Sequence, residues 1–216
     1  MATKKSKKSL QSERSQRAAE MQAQHRRAER RRSGLIIGGT ALVGVAIIAA
    51  AAFAVVDQNK ENEAAEAAGK AALGDVKTFE DLERDHVETP VEYPQTPSVG
   101  GDHNPVWQNC GFYDSDVTPE NATHSLEHGA VWIGYSPDLA DDQVSELEDL
   151  VSQNDYLLVS PVEGMDAPVT LSAWGAQLGV ETVDDPAVDA FIEEYQQGPQ
   201  TPEPGASCQG GVGTPL

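Results

Sequence analysis

The longest uncharged run in the chain, residues 34–56, sets the first constraint on what the chain can fold into. It reads GLIIGGTALVGVAIIAAAAFAVV and spans 23 residues. At about 1.5 Å of rise per residue, a helix of that length crosses a hydrocarbon core of about 30 Å. The alternatives are a helix buried in a soluble core and a cleaved signal peptide, whose apolar core usually has only about 7–15 residues. We therefore predict a single transmembrane helix over residues 34–56.

Charge is distributed unequally on the two sides of this run. Residues 1–33 hold 11 of the 15 Lys and Arg residues and three acidic residues, so their net charge is 11 − 3 = +8. Because Lys and Arg are enriched on the cytoplasmic side of membrane spans, the sequence predicts a cytoplasmic tail over residues 1–33 and an extracytoplasmic C-terminal part. We expect the tail to contact anionic lipid head groups. It has no Phe, Tyr or Trp to stack on bases, so nucleic-acid binding is not expected.

The region that follows the apolar run is acidic. Residues 57–84 are rich in Ala, Glu and Lys, which predicts a helical stalk or linker. Residues 85–216 contain 24 Asp and Glu residues and no Lys or Arg, so their carboxylates have no Lys or Arg partner within the region. This balance disfavours polyanionic partners and favours cations. We expect residues 85–216 to form the folded extracytoplasmic domain.

Hydrophobic patterns in that region predict a small α+β fold. Residues 119–128 predict a short helix that stops at Gly129, since glycine commonly ends helices. The other elements expected are strands at 130–135, 156–160 and 169–174 and helices at 141–153 and 186–197. This order predicts a mixed sheet with helices packed on it.

The chain contains two cysteines, Cys110 and Cys208, both on the C-terminal side of the apolar run. An even number of cysteines in an oxidising compartment favours one disulfide. This bond would tie the C-terminal tail to the loop before Gly111. Ligation of a metal by a thiolate is the alternative, but the sequence contains no C-x-x-C pair to support it.

Four of the five histidines, His86, His103, His124 and His128, fall within residues 86–128. On a helix, His124 and His128 lie one turn apart on the same face, where two imidazole nitrogens can bind one metal ion. Imidazole suits zinc and copper. The sequence therefore predicts a zinc or copper site with His124 and His128 as its first two ligands.

Several residues are candidates for the rest of this site. His103 is the first choice for a third ligand, His86 is an optional one, and Met165 offers a soft sulfur donor if the ion is Cu(I). Glu127 can hold a ligand in place or act as a base. The alternative is a structural role, in which His128 caps the C-terminus of the helix and His124 forms hydrogen bonds in a polar network.

The stretch HSLEH at residues 124–128 also fits H-x-x-E-H, a zinc-peptidase pattern in which two His bind zinc and the Glu acts as general base. The context does not fit that class. The predicted helix has fewer than three turns, and no downstream glutamate is marked as a third ligand. The sequence therefore favours a non-enzymatic protein over a peptidase.

A series of short motifs runs through this part of the chain. They are YP at 93–94, GGDH at 100–103, WQNCGFY at 107–113, HSLEHGAVW at 124–132 and SAWG at 172–175. Together they are similar to the DUF3105 domain family of membrane-anchored, mainly actinobacterial proteins. The resemblance covers about residues 80–210. It implies a single-pass protein of a bacterial cell membrane, with the N-terminus in the cytoplasm, and it supplies no function.

The sequence is compatible with two functions. The first is an extracytoplasmic, membrane-anchored protein with a histidine-rich site for copper or zinc. The second is a non-enzymatic accessory protein of the cell envelope, in which the histidines are structural and the domain binds an envelope partner.

Overall fold

The computed structural model describes residues 73–216 continuously, and before them residues 17, 20–22, 26, 29, 53, 55–56, 58–60, 62–64 and 67–71. Contacts divide the chain into two units, residues 1–61 and 62–216. In the first unit the described residues are helical and exposed. Most of the predicted tail, 1–33, and of the predicted span, 34–56, lies outside the described residues. The part of the chain that is described contains no helix long and apolar enough to cross a membrane.

The second unit is built on one six-stranded mixed sheet. Its strands are β1 (Lys77–Thr78), β2 (Gly111–Phe112), β3 (Val131–Tyr135), β4 (Leu157–Pro161), β5 (Val169–Ala173) and β6 (Ala176–Val180). Their order across the sheet is β1-β6-β5-β3-β4-β2. Strands β2, β4 and β3 run parallel, whereas β3–β5, β5–β6 and β6–β1 are antiparallel pairs.

Helices cover both faces of this sheet. They are α1 (Pro119–Glu127), α2 (Asp141–Ser152) and α3 (Pro186–Tyr195), and a short 3-10 helix spans Leu73–Asp75. Side chains alternate along each strand, so Ile133 of β3 points into a core with Leu147 of α2 and Phe191 of α3. The neighbouring Trp132 packs on the opposite face with Leu126 of α1. The result is a three-layer α+β domain in which α1 packs on one face of the sheet and α2 and α3 pack on the other.

The predicted α+β class with a mixed sheet is confirmed, and the three helices and three strands expected from the sequence lie within two residues of their predicted bounds. Strands β2 and β6 were not expected from the sequence, although Ala176, Leu178 and Val180 of β6 alternate and are buried. Strand β6 is the longer of the two. It forms a hairpin with β5 across Trp174 and Gly175, where Gly175 has a φ of 71°. Strand β1 lies inside the segment 57–84 assigned to the stalk, so the last part of that segment belongs to the sheet.

The predicted disulfide between Cys110 and Cys208 is confirmed, and both residues are buried. Around it the C-terminal tail forms backbone hydrogen bonds to the segment that precedes β2. The Cys110 N–H donates to the Cys208 carbonyl at 2.9 Å, and the Asn109 N–H donates to the Val212 carbonyl at 2.8 Å. The disulfide therefore fastens a tail that also contacts the end of α1.

Removing this bond is expected to destabilise the second unit. The cysteines are 98 residues apart in sequence, so Cys110→Ser with Cys208→Ser should lower the free energy of unfolding by about 2–5 kcal/mol, because a long loop is released in the unfolded chain. Denaturant unfolding of the full chain, with and without a dithiol reductant, measures this change. The reductant should destabilise the wild type and leave the double variant unchanged, and equal stability of the two proteins would contradict the prediction.

Candidate metal centre

Helix α1 is short, polar and yet almost completely buried. It starts with Pro119 in its first turn and ends before Gly129, whose φ of 92° suits glycine. Three polar side chains on α1 bind the loop that wraps around it. Ser125 Oγ donates to the Gln108 carbonyl at 2.6 Å, Thr123 Oγ1 lies 2.6 Å from Ser98 Oγ, and Asn121 Nδ2 donates to the Val106 carbonyl. The segment 98–108 is therefore held against the helix that carries His124 and Glu127.

Gly100 lets this loop pack closely against Leu82 and Trp174. Gly100 and Gly101 have φ values of 134° and 117°, and a Cβ on Gly100 would lie 2.8 Å from Leu82 and 3.2 Å from the Trp174 ring. The loop then places His103 in the interior with no exposed surface. His103 in turn forms an isolated parallel bridge with His86, in which the Val87 N–H donates to the His103 carbonyl at 2.7 Å.

Three histidine side chains from these segments converge on the carboxylate of Glu127. The Glu127 Oε2 atom lies 3.0 Å from Nε2 of His103, 3.7 Å from Nε2 of His86 and 3.9 Å from Nε2 of His124. All four donor atoms lie within 4.8 Å of one another. In a tetrahedral zinc site with bonds of about 2.0–2.1 Å, neighbouring donors are separated by about 3.3 Å. The four donors could therefore hold one metal ion after only small movements.

Backbone carbonyls fix the orientation of the two buried rings. His103 Nδ1 lies 2.7 Å from the Gly101 carbonyl, and His124 Nδ1 lies 2.7 Å from the Asn104 carbonyl. A carbonyl oxygen only accepts, so both Nδ1 atoms carry a hydrogen and donate it. In the neutral rings, Nε2 then has a free lone pair that faces the cluster. Metal-binding histidines are held in this way, because the second ring nitrogen donates to a carbonyl or carboxylate.

The contact between His103 and Glu127 needs a positive charge. Nε2 of a neutral His103 and Oε2 of an ionised Glu127 both present lone pairs, and the two atoms are 3.0 Å apart in a buried position. Two such acceptors repel unless a proton or a metal ion lies between them. The described residues place no Lys or Arg in a salt bridge with Glu127. The ion pairs of this carboxylate among the described residues are therefore with histidines, and a shared proton or a bound cation would balance its charge.

His124 is suited to bind a metal ion as a neutral imidazole. Its pKa is lowered from 6.5 to about 4, mainly by burial; the hydrogen bond to the Asn104 carbonyl opposes this shift, and the neighbouring His128, His103 and His86 add to it. At neutral pH its Nε2 is therefore unprotonated, and a metal ion does not have to displace a proton from it.

The other residues predicted for the site are not among the four grouped donors. His128 follows α1 directly, donates from Nδ1 to the Ser207 carbonyl at 2.7 Å, and faces Glu203 with Nε2 at 3.8 Å. Met165 lies between β4 and β5, where its sulfur packs over Gly134. Cys110 and Cys208 form the disulfide and so offer no thiolate. In the H-x-x-E-H pattern of zinc peptidases, the two histidines bind zinc and the glutamate does not. Here the grouped donors include Glu127 and His124 but not His128, so the cluster differs from that pattern.

The cluster opens to solvent on one side. A cleft of about 560 Å³ is lined by His86 and Glu127 together with Glu203 and the segment 82–85. The His86 side chain is 48% exposed, whereas His124 and Glu127 are 5% and 6% exposed. Glu203 was not singled out from the sequence, because nothing local marks it among the other acidic residues. Its position becomes evident only when the tail folds over the end of α1.

Fold and site together define a small α+β domain with a buried cluster of three histidines and one glutamate beside a cleft. A family model described as "Protein of unknown function (DUF3105)" matches residues 86–210, which include every member of the cluster. The chain belongs to this family. No curated protein and no solved structure matches it.

The low pKa of His124 gives a prediction about stability without metal. The folded-state pKa of about 4 lies below the usual 6.5, so between these values the unfolded chain binds more protons than the folded one. Stability should therefore fall as the pH is lowered from about 6.5 to about 4, and this contribution should level off at lower pH.

The variant His124→Asn isolates this contribution. Asparagine keeps a donor near the Nδ1 position for the Asn104 carbonyl but takes up no proton in this range. Urea unfolding of the metal-free full chain at several pH values should show a smaller decline for the variant than for the wild type. Identical declines would mean that His124 keeps an ordinary pKa in the folded protein.

Proposed function

We propose that this protein binds one transition-metal ion through His86, His103, His124 and Glu127. The observation that carries the proposal is the convergence of three Nε2 atoms on one carboxylate oxygen, at 3.0–3.9 Å. Two of the rings are anchored by backbone carbonyls in the orientation that a ligand requires. In a purely structural network, each Nε2 atom would be expected to lie within hydrogen-bonding distance of its partner. Of the three distances from Nε2 to Glu127 Oε2, only that of His103 is short enough for a hydrogen bond.

The chemistry of the four donors favours Zn²⁺ or Cu²⁺. Imidazole nitrogen suits both ions, and a carboxylate oxygen is a hard ligand. Cu(I) prefers thiolate or thioether sulfur, and neither cysteine sulfur is free to supply it. When bound, the ion would supply positive charge to the buried carboxylate and offer a Lewis-acidic centre to the cleft. Three histidines and one carboxylate would then satisfy four coordination positions.

We propose further that this site faces the outside of a bacterial cell. The apolar run 34–56 would anchor the protein, and the basic tail 1–33 would stay in the cytoplasm against anionic lipids. The disulfide supports this placement, because disulfides persist in oxidising compartments. The same domain surface would be available to an envelope partner, although the histidine cluster by itself favours metal binding as the primary role.

Removing one donor at a time tests the proposed ligand set. The full chain, purified in detergent, should bind close to one Zn²⁺ or Cu²⁺ per molecule. Glu127→Gln keeps the shape of the side chain and loses its charge, and we expect it to weaken binding by more than about 100-fold, as do His103→Asn and His124→Asn. Isothermal titration calorimetry and metal analysis after dialysis measure affinity and stoichiometry.

His128→Asn is the matched control for this series. Asparagine retains a donor for the Ser207 carbonyl, and His128 is not one of the four donors, so the affinity at equilibrium should stay within about twofold of the wild type. A loss as large as that of His124→Asn would favour the His124–His128 pair as ligands and contradict the proposed set. Absence of binding by the wild type would refute the function itself.

A further inference from the structure

His128 is a buried histidine next to the metal centre that the four-ligand set does not use. Its side chain is only 5% exposed, and its ring centroid lies 4.6 Å from that of His124. Nδ1 donates to the Ser207 carbonyl, so the lone pair of the neutral ring is on Nε2. That atom lies 3.8 Å from Glu203 Oε2, which is too far for a hydrogen bond. A backbone carbonyl thus orients the His128 ring, as it does the rings of His103 and His124, but His128 is not one of the four grouped donors.

Glu203 connects this ring to the solvent. Its side chain is 56% exposed and lines the same cleft as His86 and Glu127. The Glu203 N–H donates to the Glu127 carbonyl at 3.0 Å, which fixes the tail directly over the end of α1. One acidic side chain therefore lies at the rim of the cleft, and a second, Glu127, lies inside it.

We propose that Glu203 and His128 form an outer cation site, through which the metal ion passes between solvent and the four-ligand centre. This inference rests on the proposed function. The distance of 3.8 Å between Glu203 Oε2 and His128 Nε2 suits two donors that share one ion, with water completing its coordination. Two protein ligands hold an ion more weakly than four, so the ion moves on to the inner set.

The route from the outer site to the inner one is short. The His128 and His124 rings are in edge-to-face contact, and Trp107 packs against both, with ring centroids 4.9 Å from His128 and 5.8 Å from His124. The transfer is a ligand exchange at a divalent ion and involves no electron transfer. Oxygen and nitrogen donors of the outer pair are replaced by Glu127 and His124, while His86 and His103 complete the site.

Charge supports uptake through this cleft. Four carboxylates line it, from Glu83, Asp85, Glu127 and Glu203, whereas Arg84 is the only Lys or Arg among its lining residues. A cleft lined mainly by one sign of charge concentrates ions of the opposite sign and raises their association rate. The role of His128 and Glu203 is therefore kinetic, and their removal should slow loading and release while affinity is preserved.

Stopped-flow kinetics with Cu²⁺ on the full chain in detergent tests the proposal. Cu²⁺ quenches tryptophan fluorescence, and Trp107 lies beside both sites, so quenching reports loading and its recovery with EDTA reports release. The release rate is extrapolated to zero EDTA. In Glu203→Gln and in His128→Asn we expect both rate constants to fall about three- to tenfold and the dissociation constant to stay within about twofold.

Glu148→Gln on α2 is the matched control, since it removes the same charge from an exposed position outside the lining of the cleft. It should leave both rate constants unchanged. Unaltered rates in Glu203→Gln and His128→Asn would overturn the outer site while leaving the four-ligand centre intact. Weaker affinity with faster release alone would also overturn it, because that result identifies a permanent ligand. A wild type that binds no Cu²⁺ at all would remove the proposed function together with this inference.

Discussion

The site depends on one close contact between two buried acceptors, Nε2 of His103 and Oε2 of Glu127, at 3.0 Å. Their lone pairs repel unless a cation lies between them, and no Lys or Arg follows Arg84 in the sequence. The metal ion that we propose would supply this positive charge and would also bind the imidazoles of His86 and His124. Because burying an unpaired carboxylate is costly, the fold around the contact has to hold His86, His103 and His124 close to Glu127.

The histidines are held close to Glu127 because the polar helix α1 is buried under the surrounding loop and the C-terminal tail. Side chains that are unusual inside a helix, such as Asn121, Thr123 and Ser125, bind the surrounding loop or its backbone, so α1 can be buried on the sheet and under the loop at once. The tail closes the remaining side, where Ser207 orients His128 and the disulfide holds the tail in place. The loop 98–108, helix α1 and the C-terminal tail are therefore packed together around the site.

Sequence patterns predicted the local features well. The helix that ends at Gly129, the α+β class and the disulfide all follow from residue types and spacing. Periodicity places His124 and His128 on one helix face, but it does not reveal which way each ring nitrogen points. That direction is set by the carbonyls of Asn104 and Ser207, and the second of these is 79 residues from the histidine that it binds. Long-range backbone contacts of this kind leave no local pattern, and the same is true of Glu203.

Anomalous diffraction at the zinc edge, from crystals of the protein soaked with zinc, would show directly whether His86, His103, His124 and Glu127 bind one ion. We expect one ion, about 2.0–2.2 Å from Nε2 of His86, His103 and His124 and from a carboxylate oxygen of Glu127. An ion held by His124 and His128 without His103, or crystals in which the four donors hold no zinc, would contradict it.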